Sequence, residues 1–199
     1  MPKPYIPNDK WSQKAASEGY RARSVYKLME LDQRLKLLKP GMTVLDLGAA
    51  PGSWLQYSAQ RIGPKGRAIG VDLTAIESIA PNVSLAQLDV TNEEALLALL
   101  AAEHIERVDL VLSDIAPSTS GIKDVDQWRS VELAQSVIAI ASRFLRPQGY
   151  CVVKVFRGAD FDELLRDIKR EGLWKDPRVL QVQASRDRSR EVYVALKRL

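Results

Sequence analysis

The chain has one cysteine and one histidine in 199 residues, and no apolar run approaches 18 residues. A single Cys151 excludes an internal disulfide. It stands in an apolar run and reads as a small packed hydrophobe. His104 has no ligand-type companions around it, so no metal site is expected. Without a long apolar run there is no transmembrane helix. The start, Met-Pro-Lys-Pro-Tyr-Ile-Pro-Asn-Asp-Lys, lacks the apolar core of a signal peptide. The chain is therefore expected in the cytoplasm, in a reducing compartment, without a membrane partner. Two nucleotide signatures are also missing. No Gly-x-Gly-x-x-Gly loop is present to hold a dinucleotide pyrophosphate, and no Gly-x-x-x-x-Gly-Lys-Ser/Thr loop to cradle a triphosphate.

What is present is globular. Hydrophobic residues make up 46% and charged residues 27%, at a length that supports one ordinary core. Charge is unevenly spread over the net +4. Residues 1–40 carry nine Lys/Arg against four Asp/Glu, and residues 184–199 carry five against two. The stretch between holds fifteen against nineteen, so a mildly acidic body lies between two basic ends. Basic segments are the electrostatic footprint of a nucleic-acid binder.

Residues 1–20 are polar, contain three prolines and lack periodicity, so they read as a mobile basic arm before a single domain over 21–199. Val25, Leu28, Leu31, Leu35 and Leu38 recur at helical spacing, predicting an amphipathic helix over 22–38 that Pro40-Gly41 ends. Strands are then expected at 44–47, 67–71, 83–88, 110–113, 150–156, 178–183 and 191–196. Helices are expected at 53–61, 93–104, 125–145 and 161–169. This alternation predicts an α/β fold, with a mostly parallel sheet and helices on both faces. Two strands in succession at the end predict a closing hairpin and one antiparallel strand near the edge.

The richest stretch is Thr43 to Trp54, Thr-Val-Leu-Asp-Leu-Gly-Ala-Ala-Pro-Gly-Ser-Trp. A buried-type strand meets a small-residue turn and a helix, the device that forms a cofactor crevice in doubly wound sheets. The glycines let backbone approach a ligand, and no phosphate-binding signature accompanies them. Asp46 and Asp72 suit a ligand carrying amino and hydroxyl donors, which S-adenosylmethionine does. In such sheets ligands lie beyond the carboxyl ends of the strands. Asp72, Asp89 and Asp114 end three successive strands there. Asp72 suits ribose hydroxyls and Asp89 an adenine amino group. Each also has an ordinary use in turns or helix caps, with Thr91-Asn92 ready to cap the following helix.

Lys154 interrupts Cys151-Val152-Val153-Lys154-Val155-Phe156, a strand of the doubly buried kind. An ammonium there is costly unless paired. Methyl transfer to a hydroxyl needs alignment and removal of a proton from a very weak acid. A lysine can accept that proton if its pKa falls, which a second cation and desolvation promote. The chemistry therefore asks for another Lys or Arg near Lys154, with carboxylates to hold both.

Gly48-Ala49-Ala50-Pro51-Gly52-Ser53-Trp54, Ser113-Asp114-Ile115-Ala116-Pro117, Val153-Lys154-Val155-Phe156 and Ser189-Arg190-Glu191-Val192-Tyr193 occur in an order that resembles the FtsJ/RrmJ-type ribose 2′-O-methyltransferases. Ser24-Val25-Tyr26-Lys27-Leu28 resembles that family's first motif, so the likeness runs from about Arg21 to Leu196. It implies a Rossmann-like class I methyltransferase fold with seven strands. It implies S-adenosylmethionine as cofactor and a uridine ribose of 23S ribosomal RNA as acceptor, met in the large subunit or its late precursor by a monomeric enzyme. The implied catalytic set is Lys27, Asp114, Lys154 and Glu191, with Lys154 as proton acceptor. The implied cofactor contacts are Gly52, Trp54, Asp72, Asp89 and Asp114. Ser53 stands where the family has a second glycine. Arg21, Arg23, Arg186, Arg188 and Arg190 are candidate phosphate contacts, with Lys10 and Lys14 extending the track. A transfer RNA or other RNA acceptor remains open, as does a non-catalytic RNA-binding assembly factor.

Overall fold

The structure is a computed structural model that describes residues 10–118, 120–185 and 189–199. In chain order the elements are α1 (Lys10–Ser17), α2 (Val25–Leu35), β1 (Thr43–Leu47), α3 (Ser53–Ile62), β2 (Arg67–Asp72), β3 (Val83–Gln87) and α4 (Glu93–Ala102). They continue with β4 (Val108–Ser113), α5 (Lys123–Phe144), β5 (Leu145–Phe156), α6 (Phe161–Arg170), β6 (Arg178–Leu180) and β7 (Glu191–Lys197). The seven strands form one sheet in the order β3-β2-β1-β4-β5-β7-β6. Only β7 runs against its neighbours, paired antiparallel to β5 and β6. The expected α/β architecture is thus present, with its antiparallel strand one place in from the edge.

Strand alternation sorts the core into two faces. Val44, Leu110, Leu112, Val152, Tyr193 and Ala195 pack with Leu28, Leu31, Leu55 and Ile62 under α2 and α3. Leu45, Leu47, Val111, Val153, Val155, Val192 and Val194 pack with α4, α5 and α6 on the other side. Lys154 shares parity with Val152, and Glu191 shares it with Tyr193. Both therefore belong to the face that α2 covers. In the ladder Lys154 stands opposite Tyr193 and Phe156 opposite Glu191.

The element ends differ from expectation for local reasons. α2 stops at Leu35 because Lys36 turns left-handed (φ 55°) and the buried Asp32 carboxylate accepts the Leu38 N–H at 2.9 Å. α4 is capped by Asn92, whose side chain accepts from Ala95 N, and it ends where His104 adopts φ 55°. His104 is a helix terminator. β5 starts five residues early: Leu145 pairs with Val108, the register shifts, and pairing resumes at Leu110 with Tyr150.

The arm expected over 1–20 is a correction in its second half. Residues 10–17 form α1, whose Ala15 is buried with Val25, Tyr26 and Ala184. The Trp11 ring stands 5.2 Å from that of Tyr26. Tyr26 and Glu18 hydrogen-bond at 2.9 Å, and Tyr20 reaches Gln60. The helix is too short to show a period but carries enough aromatic contact to dock. Residues 1–9 lie outside the described residues.

Candidate active site

β1 delivers Asp46, and the chain turns through Gly48 to Gly52 into α3. Gly48 N and Ala49 N bond to Val71 O, and Ala50 N donates to Asp72 Oδ2 at 2.9 Å. Asp72 Oδ1 also accepts from Thr74 N, so this carboxylate ties the loop to the end of β2. Gly48 (φ 77°) and Gly52 (φ 101°) occupy backbone space that side chains rarely adopt. A Cβ on Gly48 would lie 2.7 Å from Ile115 Cβ, and one on Gly52 would lie 2.8 Å from Ile79 Cδ1. Ser53 fits because it begins the helix, buried, with its hydroxyl 2.9 Å from that of Ser24.

The loop lines a recess of about 30 Å³ with Ser24, Asp46, Trp54 and Asp114. Trp54 is buried; its Nε1 donates to Ser24 O at 2.8 Å and its ring lies 5.9 Å from Tyr193. Asp46 is 1% exposed, and its Oδ2 has no hydrogen-bond partner among the described residues. Burial, followed by the nearby Asp114 and Asp72 carboxylates, pushes its carboxyl well above the usual range. A buried acceptor without a donor costs about 1–3 kcal/mol. It is the chemistry that an amino-bearing, cationic ligand satisfies, so the residues present fit S-adenosylmethionine. Asp89 lies just beyond the end of β3. Its Oδ1 takes the Thr91 N–H and O–H at 2.8 and 2.7 Å, and those bonds hold its carboxyl below the ordinary range. The described bonds of Asp89 thus serve the turn into α4.

Across the recess the four residues implied for catalysis meet. Lys154 Nζ lies 3.0 Å from Asp114 Oδ1 and donates to Asp114 O at 2.5 Å. Lys27 Nζ sits 3.6 Å from the same Oδ1 and 2.7 Å from Glu191 Oε1. Lys154 is 6% exposed, and the Lys27, Glu191 and Asp114 side chains 12%, 11% and 17%. Two cations and two carboxylates therefore share one semi-buried cluster, which meets the pairing that a buried amine requires. Burial pushes Asp114 up, but the Lys154 and Lys27 ammoniums, helped by a Tyr193 hydrogen bond, outweigh it and hold the carboxyl below its ordinary value.

Sequence reasoning assigned no role to Tyr193 or Ser185. The Tyr193 hydroxyl donates to Asp114 Oδ1 at 2.6 Å, and burial with the adjacent carboxylates raises its pKa well above the ordinary 10.0. Tyr193 thus stays neutral and steadies Asp114. Ser185 Oγ donates to Glu191 Oε1 at 2.6 Å. Tyr193 had a signal, since it lies two residues beyond Glu191 on one strand face. Ser185 had none, because a loop carries it.

The basic candidates divide. Arg21 is not arranged as a phosphate contact: Nη1 donates to Pro51 O and Glu77 O, and Nη2 to Ser78 O, at 2.9–3.1 Å. It bolts the cofactor loop to the β2–β3 connection. Arg23 Nη2 donates to Ala184 O at 3.0 Å, and Arg190 Nη2 to Lys123 O at 3.1 Å. Arg186 and Arg188 lie outside the described residues. No group of acids, histidines and cysteines that could hold a metal occurs among the described residues, and no helix there is long and apolar enough to cross a membrane.

The sequence pattern of the FtsJ-like methyltransferase family matches residues 20–199. The chain belongs to that family. It is 47% identical to the ribosomal RNA large subunit methyltransferase E of Syntrophobacter fumaroxidans, over 98% of each chain. It is 44% identical to the protein of that name from Methylobacillus flagellatus, over 96% of this chain and 91% of the relative. Among solved structures, a Plasmodium falciparum protein assigned as a ribosomal RNA methyltransferase superposes with a TM-score of 0.79 at 28% identity. The match covers 90% of this chain and 98% of that one. Aeropyrum pernix fibrillarin, solved with natively bound S-adenosyl-L-methionine, shares the fold at a TM-score of 0.62 and 23% identity. That match covers 87% of this chain and 76% of fibrillarin. Family and fold agree on a methyltransferase.

Proposed function

We propose that the chain methylates the 2′-hydroxyl of a uridine ribose in 23S ribosomal RNA. It does so as a cytoplasmic monomer acting on the large ribosomal subunit or its late precursor. The observation that carries this reading is the buried Lys154 amine, held beside a second cation, Lys27, by Asp114, which itself lines the recess. The names of the relatives support the acceptor RNA.

Bound S-adenosylmethionine supplies a methyl group on a positively charged sulfur. Asp46, Asp72, Gly52 and Trp54 hold and shape its site, Asp114 borders it, and Asp89 supports it from the next strand end. Lys154, once its ammonium has given up a proton to solvent, receives the 2′-hydroxyl proton at Nζ, a step that typically contributes about 10²–10⁴-fold. Asp114 orients Lys154 through Oδ1 and its carbonyl. Glu191 holds Lys27 beside Asp114, where the ammonium steadies negative charge on the reacting oxygen. The positioning of a nearly rigid amine supplies the alignment term. Arg23 and Arg190, with the basic ends, meet RNA phosphates, which fix register without reading sequence.

The test supplies labelled cofactor and compares large subunits, isolated 23S RNA and transfer RNA, all from cells lacking this gene. Label in a ribose of the large-subunit RNA supports the reading. Label confined to transfer RNA, or in a base, overturns it.

A further inference from the structure

The cluster of Lys27, Asp114, Lys154 and Glu191 separates two clefts. Asp114 lines the loop-side recess, whereas Lys27 and Glu191 line a second cleft of about 350 Å³. The other lining residues of this second cleft are Arg23, Ser24, Phe156 and Ser189. Methyl transfer is an in-line displacement, so acceptor oxygen and departing sulfur lie on opposite sides of the methyl. With the donor on the loop side, the acceptor nucleotide enters from the second cleft.

Phe156 is the one aromatic among those lining residues. It shares a strand face with Lys154 two residues away and stands opposite Glu191 in the ladder. Its backbone is fixed, since Phe156 N donates to Ser130 Oγ at 3.0 Å and Arg157 N to Arg190 O at 2.9 Å. Its side chain is only half-buried, although its strand neighbours Val153 and Val155 are fully covered. A ribose reaching the deeply set Lys154 must leave its stack, and the cleft of about 350 Å³ gives it room to enter. The base that comes with it loses its neighbours and needs a new apolar face.

We infer that the Phe156 ring is the platform on which the acceptor base stacks, making this cleft a single-nucleoside subsite. The inference rests on the methyl-acceptor reading above. Stacking on a phenyl ring accepts any base. Phe156 therefore positions the nucleotide, and site choice falls to contacts elsewhere on the RNA.

The test is a cycle between residue and base. Large-subunit RNA is assembled by ligation with either the intact acceptor nucleotide or an abasic ribose that keeps its 2′-hydroxyl. On intact RNA, Phe156→Ala lowers kcat/KM by about 10- to 100-fold, and Phe156→Tyr retains most of the rate. On abasic RNA the wild-type chain is already slow and Phe156→Ala costs nothing more. Cofactor affinity, measured by calorimetry, is the same in all three proteins. An equal loss on intact and abasic RNA, or a loss in cofactor affinity, marks a purely structural ring and overturns the inference. If the wild-type chain methylates no ribose in intact RNA, the parent reading falls with it. If it does and the cycle shows no coupling, only the stacking role falls.

Discussion

Asp46 and Asp114 share a sheet face but have opposite protonation behaviour, and the difference is environmental. Among the described residues Asp46 has no donor for Oδ2, whereas Asp114 has two ammoniums and a phenol. Asp46, with its pKa raised in the fold, favours the folded state at low pH, and that contribution is lost as pH rises through the raised value. Asp46→Asn is therefore expected to raise the melting temperature at neutral pH by about 2–6 °C. The gap to wild type should widen with pH in a scanning calorimeter, while cofactor affinity falls. Asp114 has the opposite sign. With its folded pKa below the ordinary 3.8, its contribution is present above that value and is lost as pH falls through the depressed one. The stability difference between wild type and Asp114→Asn is expected to hold from pH 7 to about 5 and to shrink in more acid solution. Tyr193→Phe removes one hydrogen bond to Asp114, and its kcat is expected to fall by about 10-fold with cofactor affinity kept.

At the scale of elements, the segment from α1 to α2 is both a wall of the site and a clamp. Arg21 spends its guanidinium on three carbonyls of the cofactor loop and the β2–β3 connection, while its backbone N–H donates to Gln56 at 2.8 Å. Arg21→Ala is expected to cost about 1–3 kcal/mol in urea unfolding and to weaken cofactor binding. It should leave the salt dependence of RNA binding unchanged. The same elements show what was legible beforehand. The continuous apolar run of Cys151–Phe156 marked Lys154 as buried, and the strand-turn-helix pattern located the recess. Long apolar periods gave α2 and the α4–α6 layer to within a few residues. What stayed hidden depends on single backbone choices and distant partners. Nothing local in Lys36 or His104 announces φ 55°, and Arg21 reads as a surface cation until Glu77 and Ser78 come into view.

At the scale of the molecule, a mildly acidic body carries basic ends that converge on one region, α2 beside the start of β7. Lys27 from the first end meets Glu191 from the last at 2.7 Å, a contact between residues 164 positions apart (191 − 27). The sequence shows both charge-rich ends, but only the placement of β7 between β5 and β6 joins them. Replacing Arg190 by Ala is expected to reduce the slope of log affinity against log salt by roughly 0.7–0.9. That change, absent for Arg21→Ala, separates a phosphate contact from a structural arginine. The most direct measurement for the whole account is nucleoside mass spectrometry of 23S RNA from gene-deleted cells, after incubation of their large subunits with cofactor and either wild type or Lys154→Ala. The account predicts 2′-O-methyluridine with wild type and none with Lys154→Ala, whose cofactor affinity is unchanged. A base-methylated product, or equal ribose methylation by the variant, would contradict it.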